Sequence, residues 1–334
     1  MLRWNGERSV GVRWLAICLV LLATIQASAR EGGKVRTTKL TLGATAPAEA
    51  PTALRLTLAP AETTEGDACP LYEKAAELLP ANLDSQKISD LLRAPLEELP
   101  LEDVESLLRQ CRPAMEQFRR AAACKSCDWP WVEAESMCPS SDQWRHLTFL
   151  LGLQIHHQLA RRQYALAAET LRVGFAAANH LGHGPTMMYG IMATGAAGRM
   201  CREVELFVEQ PGAPSLLTAL EGLPLPFISL EEQMESEGIP SNDSLHKRIE
   251  LLTDRVDRHI ASLRCIEALR LHATEHDGTF PETLRQMSNV TIPLDPARGK
   301  PFIYRRGGDG AVLEAPAGDG AQETVRFELA FQHD

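Results

Sequence analysis

The chain is short of aromatic side chains, 5% in all, and short of positive charge, with 34 basic against 44 acidic residues. The acidic balance argues against nucleic acid and anionic membrane surfaces as partners. Long apolar runs are also missing. The N-terminal run Trp14 to Ile25 has 12 residues, well below the roughly 20 that a spanning helix needs. No glycine-rich phosphate loop, serine nucleophile elbow or credible catalytic triad can be found. With aromatics scarce, Leu and Ala dominate, as they do in helix-rich chains.

What is present begins with an address. Arg3, Arg8 and Arg13 precede the apolar run and Ala27-Ser28-Ala29 follows it, which predicts a secretory signal peptide over residues 1–29. Cys18 follows Ile17, not a small residue, so lipid attachment there is not expected. Counted from Arg30, 31 basic face 43 acidic side chains, a formal charge of −12. The expected location is the periplasm or cell envelope, with no stable membrane span after signal cleavage.

Residues 30–66 are rich in Ala, Pro, Thr and Glu and predict a flexible lead-in with edge-strand-like pieces at Lys39–Leu42 and Leu54–Leu58. Residues 67–240 predict a helical-hairpin domain. Trp144, Leu147, Leu151, Ile155 and Leu159 share one helical face, and Tyr164, Ala168, Leu171, Phe175 and Ala178 share another. The short Arg161-Arg162-Gln163 joint makes these two runs an αα-hairpin. Gly182 and Gly184 supply a left-handed stop. A third run follows over Met187 to Val208, where Gly190, Gly195 and Gly198 suggest close approach by a neighbouring helix. Earlier helices are expected over Leu71–Leu79, Ser85–Arg93 and from Leu101, the last kinked or restarted at Pro113.

Residues 241–334 predict a long helix plus a small β-sheet. Ser241 to Ser244 offer N-caps, and Leu245, Ile249, Leu252, Val256 and Ile260 open a helix of some 32 residues ending before Gly278. Phe302–Arg305 and Ala311–Ala315 flank a glycine-rich hairpin loop, and Val325 to Phe331 alternates as a half-buried strand. The fold class is mainly α: a helical-hairpin, TPR-like array followed by a long helix and a small antiparallel sheet.

His272-Ala273-Thr274-Glu275-His276 spells H-x-x-E-H. On a helix the two imidazoles share a face and would bind zinc, with Glu275 as general base and Glu314, Glu323 or Glu328 as a third ligand. Against this stand the motif's place at a helix end and the short remainder of chain available to build a cleft. Cys124-Lys125-Ser126-Cys127 has no following His, so covalent haem attachment is excluded. With Cys111 and Cys138 this pair would make disulfides, the commoner fate in an exported chain, or else a four-cysteine zinc site or a redox-active pair, the last disfavoured because Arg119 to Ala123 place it after a helix and not at a helix start. His156-His157 and His180 with His183 are expected on the surface or at helix ends. Asp254 and Arg258 are expected to form a surface i, i+4 pair.

Two resemblances go further. Gly66-Asp67-Ala68-Cys69-Pro70-Leu71-Tyr72, Cys127-Asp128-Trp129, Arg162-Gln163-Tyr164-Ala165-Leu166 and Gly184-Pro185-Thr186, in that order, resemble exported helical proteins of planctomycete-type bacteria. That likeness implies a fold style and an address and no activity. Tyr164 to Leu181 also looks like part of a tetratricopeptide-type repeat, without a clean 34-residue period. Gly278-Thr279-Phe280-Pro281, Pro293-Leu294-Asp295-Pro296, Gly299 to Tyr304 and Gly318-Asp319-Gly320 are similar to the globular end of type II secretion major pseudopilins. There a helix feeds a small sheet and a C-terminal loop holds calcium, and Asp319 matches the loop's start. The later acidic residue and the apolar pilin helix are absent, so polymerisation is not implied.

The expected function is an exported helical scaffold that binds another protein, with no resident cofactor. The alternatives are a zinc hydrolase using His272, Glu275 and His276, with Asp319 as a further metal ligand, and an accessory of a secretion or pilus-like system.

Overall fold

A computed structural model describes residues 35–46, 54–131, 139–240, 244–287, 290–317 and 323–332. The expected signal peptide, Cys138 and Asp319 lie outside these residues. The chain enters as strand β1, Val35–Leu42, and reaches a 3-10 turn at Pro60–Glu62. Strand β2, Thr64–Asp67, leads into helix α1, Cys69–Glu77, which buries Tyr72, Ala75 and Ala76. Helix α2, Ser85–Leu91, starts where the Asp84 carboxylate accepts the N–H groups of Gln86 and Lys87. Helix α3, Leu101–Ala122, runs through Pro113 without ending there. The missing proline N–H removes one helical bond, but Cys111, Ala114, Met115 and Phe118 are buried on both sides of it and hold the helix together. Strand β3, Cys124–Ser126, then pairs parallel with β2.

Three helices form the centre: α4, Ser141–Ala160, α5, Tyr164–Gly182, and α6, Met187–Val208. A capping box of Ser140 and Gln143 opens α4. The α4–α5 joint is a Schellman turn: Gln163 N–H donates to the Gln158 carbonyl, Arg162 N–H to that of Leu159, and Arg162 takes the left-handed conformation, φ 55°. The stop after α5 differs from expectation. Neither Gly182 nor Gly184 is left-handed; Gly184 is small because a Cβ there would come within 2.4 Å of the Tyr189 side chain. The glycines of α6 are also corrected. Gly190 faces the Leu230 side chain, whereas Gly195 and Gly198 face open space.

Short helices α7, Leu217–Glu221, and α8, Glu231–Ser236, precede α9, Ser244–Glu275, a single helix of 32 residues. It ends at Asp277 and Gly278, both left-handed, with Gly278 N–H donating to the Ala273 carbonyl. A small ribbon, β4, Leu294–Asp295, with β5, Lys300–Pro301, leads to β6, Ile303–Gly307, β7, Gly310–Ala315, and β8, Thr324–Phe331. β6 and β7 form a tight hairpin in which Gly307 faces Gly310. The sheet order is β1-β8-β7-β6, antiparallel except that β1 lies parallel to β8, with Leu40 opposite Leu329. The Lys39–Leu42 alternation of the lead-in is thus an edge strand of the C-terminal sheet. Leu54–Leu58 forms no strand, though Leu56 is buried. Mainly α, the chain has a main apolar core that runs from Leu40 through α4, α5 and α6 to Leu329, with a smaller cluster at Leu91, Leu99, Val104 and Leu153.

Two buried guanidiniums bind these parts together. Arg270, fully buried, donates to the carbonyls of Gly43 and Ala213 and to Glu267. Arg258, expected at the surface, is buried and grips both oxygens of Asp295, at 3.0 and 3.2 Å. A buried guanidinium requires such a fork of acceptors, and the one it found lies 37 residues away.

Candidate functional site

The expected zinc motif does not assemble into a metal site. His272 and His276 do share a face at the end of α9, but their rings stack flat, with centroids 3.9 Å apart and planes 12° apart, so their nitrogens do not converge on a point. His276 Nδ1 is bonded to the His272 carbonyl at 2.8 Å. Of the suggested third ligands, Glu314 is held by Arg326 at 2.7 Å and Glu328 lies 3.6 Å from Lys39. Among the described residues, no three His, Cys, Asp or Glu side chains form a group able to hold a metal. Of the expected disulfide set, Cys111 is buried on α3, Cys124 is buried at the start of β3 and Cys127 follows that strand, half-buried.

Residues dispersed in sequence converge instead on Tyr72. Its hydroxyl is hydrogen-bonded to His180 Nδ1 at 2.9 Å, and the imidazole also bonds to the Cys124 backbone. Trp129 stacks on Tyr72, 5.5 Å between centroids, and its indole N–H donates to the His180 carbonyl. Phe118 and Trp144 meet the same ring edge-on. Burial pushes the His180 pKa down to about 4, against a smaller upward pull from its bond to Cys124, so the ring is neutral. Below it, one carboxylate oxygen of Asp67 accepts N–H groups from both Cys69 and Asp128. The bonds of Tyr72, Trp129 and Asp67 make this cluster a brace between α1, β3 and α5, in which only the Trp144 indole N–H is buried without a partner.

The open surface is a groove along the outer face of α5. The inner face, Ala168, Leu171, Phe175 and Ala178, is buried, while the outer face lines two of three adjoining hollows. The largest, about 560 Å³, has Arg119 of α3, Gln154 and Gln158 of α4, and Leu166, Thr170 and Arg172 of α5 on its walls. A second of about 410 Å³ shares Arg119, Gln154 and Gln158 with it and continues to Glu105, His157 and Gln163. A third of about 310 Å³ shares Leu58 and Ala122 with the first and ends at Asn179, His180 and Phe227. One wall is the lead-in, tied to α5 where Glu62 meets Arg172 at 2.9 Å. From Leu166 to His180 the groove follows α5 for about 21 Å, at 1.5 Å per residue. Its floor presents the carboxamides of Gln154 and Gln158, each both donor and acceptor, and Leu166 stands 47% exposed at its rim.

Several side chains were not legible as a set in the sequence. His156, expected at the surface, is buried: its Nε2 lies 2.9 Å from Glu203, which also pairs with Arg199. Gly152 makes room, since a Cβ there would come within 2.8 Å of the Glu203 carboxylate. His183 does cap its own helix, bonding the Asn179 carbonyl at 2.8 Å. Ser85 and His146 are hydrogen-bonded, yet Asp142, one turn before His146, pairs with Arg145 at 3.0 Å. Ser85 and His146 line none of the three hollows. The only advance signal for the buried groups was a polar residue beside an apolar stripe, such as His156 next to Ile155.

Compared with known protein families, curated proteins and solved structures, the chain matches none.

Proposed function

We propose that this chain is an exported helical scaffold of the cell envelope that binds an extended segment of a partner polypeptide in the groove along α5. The observation that carries the reading is the uncovered outer face of α5, flanked by α3, α4 and the lead-in and lined by apolar, carboxamide and charged side chains together. A length of about 21 Å accommodates roughly six residues of extended chain at about 3.3 Å each. Carboxamides on the floor suit the peptide backbone, which offers donors and acceptors in alternation. Leu166 and Val173 supply apolar contact on the same wall. Export rests on the charged, apolar and small-residue order of residues 1–29. Among the described residues no helix is long and apolar enough to cross a membrane.

The test is selection of peptides from a random display library against the purified chain. Selected peptides are expected to protect the outer face of α5 from hydrogen exchange and to lose binding at least tenfold in Leu166→Glu and Val173→Glu, with thermal stability retained. Enrichment of no sequence, or binding indifferent to both substitutions, discards the reading.

A further inference from the structure

The C-x-x-C sequence invites a bridge between its own two cysteines, and the fold opposes it. Cys124 opens strand β3 and Cys127 follows its end. Three residues of extended chain span about 10 Å, more than the roughly 7 Å between Cα atoms that a disulfide tolerates. Cys124 is also engaged locally, donating to the Arg120 carbonyl and accepting from the Thr64 hydroxyl. The near neighbour of Cys127 lies across the ribbon. In the β2–β3 register Asp67 stands opposite Ser126, and Ala68 N–H donates to the Ser126 carbonyl at 2.9 Å. Cys127 is one residue beyond that pairing and Cys69 two residues beyond it. Asp67 then locks them side by side, one carboxylate oxygen taking the Cys69 N–H at 3.0 Å and the Asp128 N–H at 2.8 Å.

We infer that Cys69 and Cys127 are the cysteines that this fold brings together for a disulfide, closing the start of α1 onto the end of β3. The oxidant is an external small disulfide such as glutathione disulfide. One thiolate attacks it and releases a first thiol; the second cysteine attacks the resulting mixed disulfide and releases another. One sulfur–sulfur bond forms and one breaks, two cysteine protons leave on the two released thiols, and two electrons pass to the external disulfide. Timing follows from burial. Cys69 is 5% exposed, and loss of solvent pushes the Cys127 thiol far above its ordinary range, with further upward pressure from Cys69 itself. The reactive thiolate is therefore scarce once the helices have packed. Exchange belongs to the folding chain, and the finished bond is shielded from reductant.

The experiment refolds the reduced full chain in a mixture of reduced and oxidised glutathione, blocks remaining thiols with iodoacetamide, and maps the unreduced digest by mass spectrometry. A peptide pair joining Cys69 to Cys127 is expected, with Cys111, Cys124, Cys201 and Cys265 alkylated. Refolding in dithiothreitol should lower Tm by roughly 5–10 °C. The variants Cys69→Ser and Cys127→Ser should each lose this redox-dependent shift in full. A pair joining Cys124 to Cys127, a pair joining Cys69 or Cys127 to Cys138, or complete alkylation of both cysteines overturns the inference, and the peptide map alone decides if either variant fails to fold.

Discussion

His180 illustrates how a single side chain in this protein is given its charge state by what surrounds it. The ring lies against the Tyr72 hydroxyl and the Cys124 backbone, where the loss of water disfavours the charged imidazolium. An unfolded histidine titrates near 6.5, and burial holds this one at about 4. Below pH 6.5 the unfolded chain therefore binds a proton that the folded chain refuses. The contribution to stability is complete above 6.5 and declines as pH falls toward 4, by at most roughly 3 kcal/mol. Denaturation curves of the native chain and His180→Gln, measured from pH 4 to 7.5, should differ most at neutral pH and approach each other in acid. Asp257, which burial raises to about 6, has the opposite slope, but it is common to both proteins and cancels in the difference. Parallel curves would mean that the ring is not held neutral.

At the scale of elements, packing decides what each glycine in α6 does. Periodicity placed this helix at Met187 to Val208, and the structure has those bounds. Spacing cannot say which glycine meets a neighbour. A methyl at Gly190 would strike Leu230 at 2.2 Å, whereas at Gly195 it would meet nothing within 4 Å. Gly195→Ala should therefore stabilise the protein by roughly 0.5–1 kcal/mol, because alanine has less backbone freedom to lose. Gly190→Ala should destabilise it unless Leu230 moves aside. Chemical denaturation of the two variants separates these effects, and equal shifts would show that the contact at Leu230 is loose. The hairpin, the long helix and the C-terminal β-hairpin were legible for the same reason as α6: their periods and stop signals lie within a few dozen residues.

Across the whole molecule, buried arginines add long-range ties to the packing of the helices. Arg270 joins the end of β1, through the Gly43 carbonyl, to the segment after α6, through Ala213, and to Glu267 on its own helix. Arg270→Met should cost about 3–5 kcal/mol, since it leaves Glu267 buried without its cation. Adding Glu267→Leu should recover part of that loss. If Arg270→Met changes the urea midpoint by less than the error, β1 is held by its strand pairing with β8 alone.

Local order in the sequence determined a great deal: the helical class, the reversal at Arg161 to Gln163, the 32-residue helix and the Gly307–Gly310 turn. Each follows from steric preference or hydrophobic spacing within one segment, and such information is carried by adjacent residues. The tertiary structure alone decided the rest. It paired Val35–Leu42 with Thr324–Phe331, set Arg258 on Asp295, buried His156, drew the N–H groups of Cys69 and Asp128 onto Asp67, and left one face of α5 open. These are contacts between segments tens to hundreds of residues apart. They are set by how the whole apolar surface can be buried at once, and no period in a single stretch of chain encodes that solution.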